Sequence, residues 1–277
     1  MRLCYQVATP DVAVSDDVTA YQGPLAESFR ALAELGYDGV EFMTLNPSVL
    51  SVEEIKRLEE AYGLKVVLVC TGEIFGQLGL SYTDPDTERR AEALRRTKEI
   101  IDFAAALNAK INIGRIRGQY RRELTKEETE AYAVEAFRTI ADYAAPKGVD
   151  IALESVTIMQ TNFINTLAEA AAMVDRVDRS NFRLMMDVFH LNLEEKDLFA
   201  AIRRYSDYNI HVHLADNNRR YPGHCGLDFE KILRTFHETG YDGAFTTEIY
   251  QIPDMKGAAR GAAEHLRPIL RRVYGET

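Results

Sequence analysis

Residues 149–187 read VDIALESVTIMQTNFINTLAEAAAMVDRVDRSNFRLMMD. Two short aliphatic runs bracket this stretch, and each finishes on a carboxylate: IALE on Glu154 and LMMD on Asp187. Residues 165–177 between them carry the apolar spacing of an amphipathic helix. Runs that are apolar at every position suit strands buried on both faces, the condition of a parallel sheet covered by helices. Glu154 and Asp187 stand 33 residues apart, room for one strand and one crossover helix.

The same unit repeats in both directions. Downstream, HVH ends on His213 and FTTE on Glu248, at intervals of 26 and 35 residues. Strands are expected near 3–8, 38–43, 65–70, 110–114, 149–153, 182–186, 210–214 and 244–249. Amphipathic helices are expected near 24–35, 51–62, 86–107, 126–145, 165–177, 195–206, 228–239 and 257–274. Asp86 followed by Glu88 starts one helix, and Thr125 with Glu128 offers a capping box for the next. Gly36, Gly63, Gly148 and Gly240 follow four helices, where a left-handed cap is expected. The phrases ELGYDGVEF and ETGYDGAFTTE recur near opposite ends, each a helix end, a Gly cap, a turn and a strand. The least regular segment, 71–85, is glycine-containing and reads as a lid or mouth loop. Eight strands alternating with eight helices predict one (β/α)8 TIM barrel over residues 1–277, with a doubly wound open sheet as the alternative.

In a parallel barrel all strands point one way, so side chains at their C-terminal ends converge at one mouth. Glu154, Asp187, His213 and Glu248 then form an oxygen-rich set suited to one divalent ion of the Mn²⁺, Mg²⁺ or Co²⁺ type, with Zn²⁺ also accommodated. Each residue has a plainer reading. Glu154 could sit in a buried salt bridge, Asp187 could cap the following helix, and His213 could be a satisfied core histidine. His211, two residues earlier, faces the same way one layer deeper.

Composition narrows the function classes. The chain carries 33 basic and 43 acidic side chains, a net charge of −10, which argues against a nucleic-acid surface built on clustered Lys and Arg. Three cysteines, Cys4, Cys70 and Cys225, are widely spaced without a CxxC pair, so neither a disulfide framework nor a thiolate zinc site is expected. The opening MRLCYQV lacks a basic-then-apolar leader, and no apolar run is long enough to span a membrane. A cytoplasmic protein with no membrane partner is the expectation.

Two runs carry a family likeness. NFRLMMDVFHLNLEE (181–195) and HLADNNRRYPGHCGLDF (213–229) resemble the sixth- and seventh-strand segments of ketose 3-epimerases such as the D-tagatose and D-psicose enzymes. The whole chain is similar to the xylose-isomerase-like barrel superfamily, which also holds hydroxypyruvate isomerase, inosose dehydratase and endonuclease IV. The resemblance implies a metal held by Glu154, Asp187, His213 and Glu248, with the two glutamates as acid/base pair. It implies substrate contacts from His190 and Arg219, and dimers or tetramers. Relatives place a substrate-contacting glutamate six residues after the first metal glutamate; here that position is Gln160. Relatives also place a tryptophan near the substrate, and this chain has none.

Other residues are read on their own. Arg115 and Arg117, in INIGRIRG, are either a solvated pair or, for Arg115, a guanidinium reaching the mouth to bind a carboxylate or phosphate. Cys70 ends the third strand and is expected to line the site without reacting. Glu73 reads as a lid residue, and Gln160 as a hydroxyl ligand or an ordinary loop residue. Together these features predict a divalent-metal-dependent isomerase or epimerase, working by proton abstraction beside a ketose carbonyl on a sugar or polyol. Arg115 and Arg219 would favour a phosphorylated or acidic one. The alternative is an inosose-dehydratase-like lyase on a keto-polyol; an endonuclease IV-like nuclease or a non-catalytic sugar-binding protein are remoter.

Overall fold

Eight parallel strands close into a ring in chain order: β1 (Arg2–Ala8), β2 (Gly39–Met43), β3 (Lys65–Cys70), β4 (Lys110–Ile113), β5 (Ile151–Glu154), β6 (Phe182–Asp187), β7 (Asn209–Leu214) and β8 (Ala244–Thr247). The structure, a computed structural model, describes residues 2–275. The ring is sealed by β1 against β8, with Arg2 opposite Ala244 and Tyr5 opposite Thr247. Closure excludes the open doubly wound sheet and gives the expected (β/α)8 barrel.

Helices α1 (Leu25–Glu34), α2 (Val52–Tyr62), α3 (Gly72–Leu78), α4 (Thr87–Leu107), α5 (Lys126–Ala144), α6 (Leu167–Val177), α7 (Val188–Glu194), α8 (Leu198–Tyr205), α9 (Phe229–Glu238) and α10 (Met255–Tyr274) surround it. Local chemistry sets their starts. The Ser51, Asp86, Thr125, Thr166 and Asp228 side chains accept from amides of the first turns, satisfying donors a helix leaves unpaired. Thr125 with Glu128, and Thr166 with Glu169, form reciprocal capping boxes.

Strand side chains alternate between two environments. Leu3, Tyr5, Val7, Phe42, Ile111, Ile113, Leu153, Leu184, Val212 and Phe245 belong to the large apolar layer under the helices. Cys4, Leu68, Cys70, Ala152 and Met185 form a small apolar plug elsewhere. Gln6, Glu41, Asn112, Glu154, Asp187, His211 and His213 are buried polar residues of the same strands or strand ends. The polar set is what a barrel with chemistry at one end requires, since buried charge persists only when paired or coordinated. Gly39 permits the close β1–β2–β3 approach: a Cβ there would stand 2.6 Å from the Lys65 carbonyl oxygen and 2.9 Å from Cys4 Sγ.

Three expectations need correction. Segment 71–85 is not wholly irregular, because residues 72–78 form α3, closed by Gly79 in the left-handed conformation. A helix not expected, α7, begins directly after Asp187, ahead of the helix expected near 195–206, which is α8. Arg117 is not solvated: it is fully buried, and its guanidinium donates to the carbonyls of Gly114, Phe163 and Ile164 at 2.8–2.9 Å.

Candidate metal and substrate site

The four residues singled out by strand spacing converge. Glu154 and Asp187 are the last residues of β5 and β6, His213 is one short of the end of β7, and Glu248 follows β8 directly. One potential ligand atom from each lies within 4.8 Å of all the others. His213 Nδ1 stands 3.0 Å from Glu248 Oε2, 3.8 Å from Asp187 Oδ2 and 3.9 Å from Glu154 Oε1.

Asp187 performs both jobs the sequence left open. Its Oδ1 accepts from the amides of Phe189 (2.7 Å) and His190 (3.4 Å), capping α7. Its Oδ2 is buried and has no hydrogen-bond partner among the described residues. Arg219 Nη2 is its nearest cation at 3.3 Å but makes no hydrogen bond to it; a buried carboxylate oxygen left without one is costly, and this one faces the other three ligands. The set therefore fits a divalent cation: three carboxylates and one imidazole, with an acceptor left over for it. Gly114 makes room, since a Cβ at that position would approach Glu154 Oε2 to 2.8 Å.

Arg219 enters the same space. It lies in the loop after β7 with φ of 56°, an unusual backbone for a side chain of that size. The fully buried Asp216 organises that loop by accepting from the amides of Asn217, Gly223, Cys225 and Leu227. Arg219 Nη2 pairs with Glu248 and stands 3.3 Å from Asp187 Oδ2, and its guanidinium lies 4.7 Å from the Phe189 ring centre. His190, also buried, receives the Thr157 amide at Nδ1 (3.3 Å) and Arg219 Nη1 at Nε2 (3.2 Å). A neutral ring has one acceptor nitrogen, so these two donors compete for it.

Burial and charge drive the two glutamates apart. Burial, then the negative charges of Glu248 and Asp187, push the Glu154 carboxyl up to about 8. Burial also opposes ionisation of Glu248, but Arg219 and His213 outweigh it and hold that carboxyl below its usual range. Burial lowers His190 to about 4, so its ring is neutral near pH 7. The two carboxyls therefore differ in how readily they give up a proton.

A cavity of ≈ 200 Å³ opens above these groups. Glu154, Glu248, His190 and Arg219 border it, as do Cys70, Glu73, Asn112, Arg115 and Gln160. All five residues assigned to substrate in the sequence thus border one cavity. Arg115 faces Glu73 at 3.4 Å and the Phe75 ring at 5.9 Å; Glu73 is a buried residue of α3. Arg220 stays outside, beside His224. Burial raises the Cys70 thiol well above its ordinary range, with Glu41 adding to the shift, so a thiolate nucleophile is not available there.

Sequence reasoning missed Gln6, Asp17, Thr19, Asn112 and Tyr250, which also border the cavity. It missed Glu41 beneath it, which contacts Cys70, His211 and His213. Glu41 was detectable: a carboxylate between Val40 and Phe42, in the apolar strand GVEFM, carries the same signal as Glu154.

Comparisons with known proteins agree with this architecture. The family model described as xylose isomerase-like TIM barrel matches residues 29–269. An L-ribulose 3-epimerase from Methylomonas sp. is 31% identical over 81% of this chain and 78% of its own length. A 3-dehydro-D-guloside 4-epimerase from Escherichia coli is 29% identical over 79% of this chain and 84% of its own. The solved structure of D-psicose 3-epimerase with D-tagatose, from Clostridium cellulolyticum H10, superposes with a TM-score of 0.81 at 22% identity, covering 99% of both chains. The chain belongs to the xylose isomerase-like TIM barrel family, among its ketose 3-epimerase-like sugar epimerases.

Proposed function

We propose that this protein is a divalent-metal-dependent epimerase of an uncharged keto-sugar, inverting a carbon that flanks the carbonyl. The observation that carries the reading is the convergence of Glu154, Asp187, His213 and Glu248 within 4.8 Å, with an Asp187 oxygen that makes no hydrogen bond. The difference between the two glutamates supports it, and so do the related sugar epimerases.

A cation held by Glu154, Asp187, His213 and Glu248 would supply Lewis-acid polarisation of the carbonyl and make the adjacent C–H more acidic. The protein's own groups then divide the work. Glu248, ionised beside Arg219, takes the proton from one face of the substrate carbon. Glu154, the other glutamate bordering the cavity, acts as the acid that returns a proton to the opposite face. For the reverse reaction the roles exchange. Arg219 and neutral His190 donate toward substrate oxygens, offsetting charge that develops on the enediolate. Gln160 supplies an amide that can hydrogen-bond a substrate hydroxyl, and Cys70 contributes a small wall.

Substrate charge is the point on which the structure changes the sequence expectation. Arg115 is already faced by Glu73, and Arg219 by Glu248 and Asp187. Asp17 also borders the cavity. Both arginine charges are thus already balanced by carboxylates, which favours a neutral ketose or ketoside over a phosphorylated or acidic one.

The test is turnover of a panel of neutral ketoses, their phosphates and ketosides with Mn²⁺ in deuterium oxide, followed by NMR. Deuterium entering at the carbon beside the carbonyl, with inverted configuration, is the expected result. Loss of water from the substrate would make the protein a lyase instead.

A further inference from the structure

Beneath the four-residue cluster lies a second buried group. Glu41 sits in the middle of β2, fully buried, and four donors converge on its carboxylate. His211 Nε2 is at 2.8 Å, His213 Nε2 at 2.9 Å, Cys70 Sγ at 2.7 Å and Gln6 Nε2 at 3.1 Å. The Gln6 amide is oriented by Thr19, whose hydroxyl donates to Gln6 Oε1 at 3.2 Å. A carboxylate surrounded in this way only accepts, so each nitrogen turned toward it carries a proton.

His213 touches both clusters. Nε2 faces Glu41, while Nδ1 faces Glu248, Asp187 and Glu154. A metal-ligating imidazole needs its lone pair on the coordinating nitrogen and its proton on the other, and a carboxylate on the far side fixes that choice.

We propose that Glu41 is a positioning residue for the metal centre: it holds the His213 proton on Nε2 and so presents the Nδ1 lone pair to Glu154, Asp187 and Glu248. This rests on the reading of those four residues as metal ligands. Glu41 reaches His213 from β2, across the barrel, and β2 supplies none of the four. Its contact therefore fixes the ring's rotation from the side opposite the other ligands. His211 braces Glu41 in turn and lies too deep to reach the cavity.

The test measures cation binding. Mn²⁺ and Zn²⁺ affinities are compared for wild type, Glu41→Gln and His211→Asn, with folding checked by circular dichroism and thermal unfolding in chelator. Glu41→Gln keeps the size but removes the negative charge and one of the two acceptor oxygens that His213 Nε2 faces. Its affinity is expected to fall about 10- to 100-fold, the scale of a lost outer partner of a metal-bound histidine. His211→Asn should fall less, because Glu41 still faces His213. Equal losses in both variants, or no loss in Glu41→Gln, overturn the proposal.

NMR of cadmium-loaded wild type with isotope-labelled histidine reads the geometry without a variant, and so stands even if Glu41→Gln does not fold. Cadmium coupling to His213 Nδ1, with a slowly exchanging proton on Nε2, is expected. Coupling to Nε2, or a second cation per chain seated on Glu41 and His211, overturns it. A wild type that binds no divalent cation removes the metal reading itself. Intact binding in Glu41→Gln removes only the role of Glu41.

Discussion

The two halves of the barrel mouth are built differently. From β5 to β8, each strand end delivers one member of the candidate metal centre, on backbone fixed by its neighbours in the sheet. From β1 to β4, the barrel delivers Gln6, Glu41, Cys70 and Asn112, neutral or already paired, and then short helical turns carrying Glu73 and Arg115. Chemistry that needs ångström precision is placed on strands. Recognition, which tolerates variation, is placed on the segments above them.

Replacing a member of the first half should therefore have the largest effect. Asp187→Asn retains the oxygen that caps α7 but puts an amide where the unpartnered Oδ2 now stands. Cation binding by calorimetry should be lost, while the unfolding temperature in chelator changes little. Retained binding would take Asp187 out of the centre.

Glu248→Gln comes next. It keeps an oxygen that could ligate but loses the base. Turnover should fall at least about 10²-fold, the lower end of general-base effects, with partial cation binding retained. Near-normal turnover would move the base elsewhere.

The pH dependence of cation binding gives a graded measure of the same half. Near pH 7 Glu154 holds its proton, being raised to about 8, and burial notwithstanding, Glu41 and Glu248 raise His213 well above its usual range. Both protons must leave for these groups to act as ligands. Affinity should therefore rise with pH, the Glu154 part levelling off above about 8. Calorimetry in buffers of different ionisation enthalpy should show proton release, and pH-independent binding would contradict this account.

The smallest effect should come from the other half. Arg115 is partly exposed and spent on Glu73. Arg115→Ala should change KM for a neutral ketose by less than about fivefold, the scale of an exposed pair worth about 0–1 kcal/mol. A large loss confined to a phosphorylated substrate would reverse the assignment of substrate charge.

The same contrast governs what the sequence disclosed. Strands β5 to β8 were legible because packing alone rarely ends four apolar runs on His, Asp or Glu at barrel spacing. Arg219 and His190 were reached through motif likeness, not through local chemistry. Helix α3 was hidden by Gly72, Gly76 and Gly79, which read as loop although a seven-residue helix runs from Gly72 to the residue before Gly79. Helix α7 was missed although Asp187 was weighed as a helix cap, because the next amphipathic pattern begins only near 195. Glu41 escaped although a carboxylate in an apolar strand was a readable signal, because it sits in mid-strand while barrel spacing singles out strand ends. Arg117 was read as a solvated partner of Arg115, because spacing says nothing about which of two nearby guanidinium groups turns inward.

That buried Arg117 has a mechanical consequence. One planar cation ties the carbonyl of Gly114, after β4, to those of Phe163 and Ile164, in the connection after β5. The two stretches are thereby welded into one wall, with Arg115 at one end and Gln160 near the other. A wall of this kind shifts as a unit or not at all. Helix α3 meets that wall through Glu73 and Arg115, so substrate orientation should be set by the welded stretches.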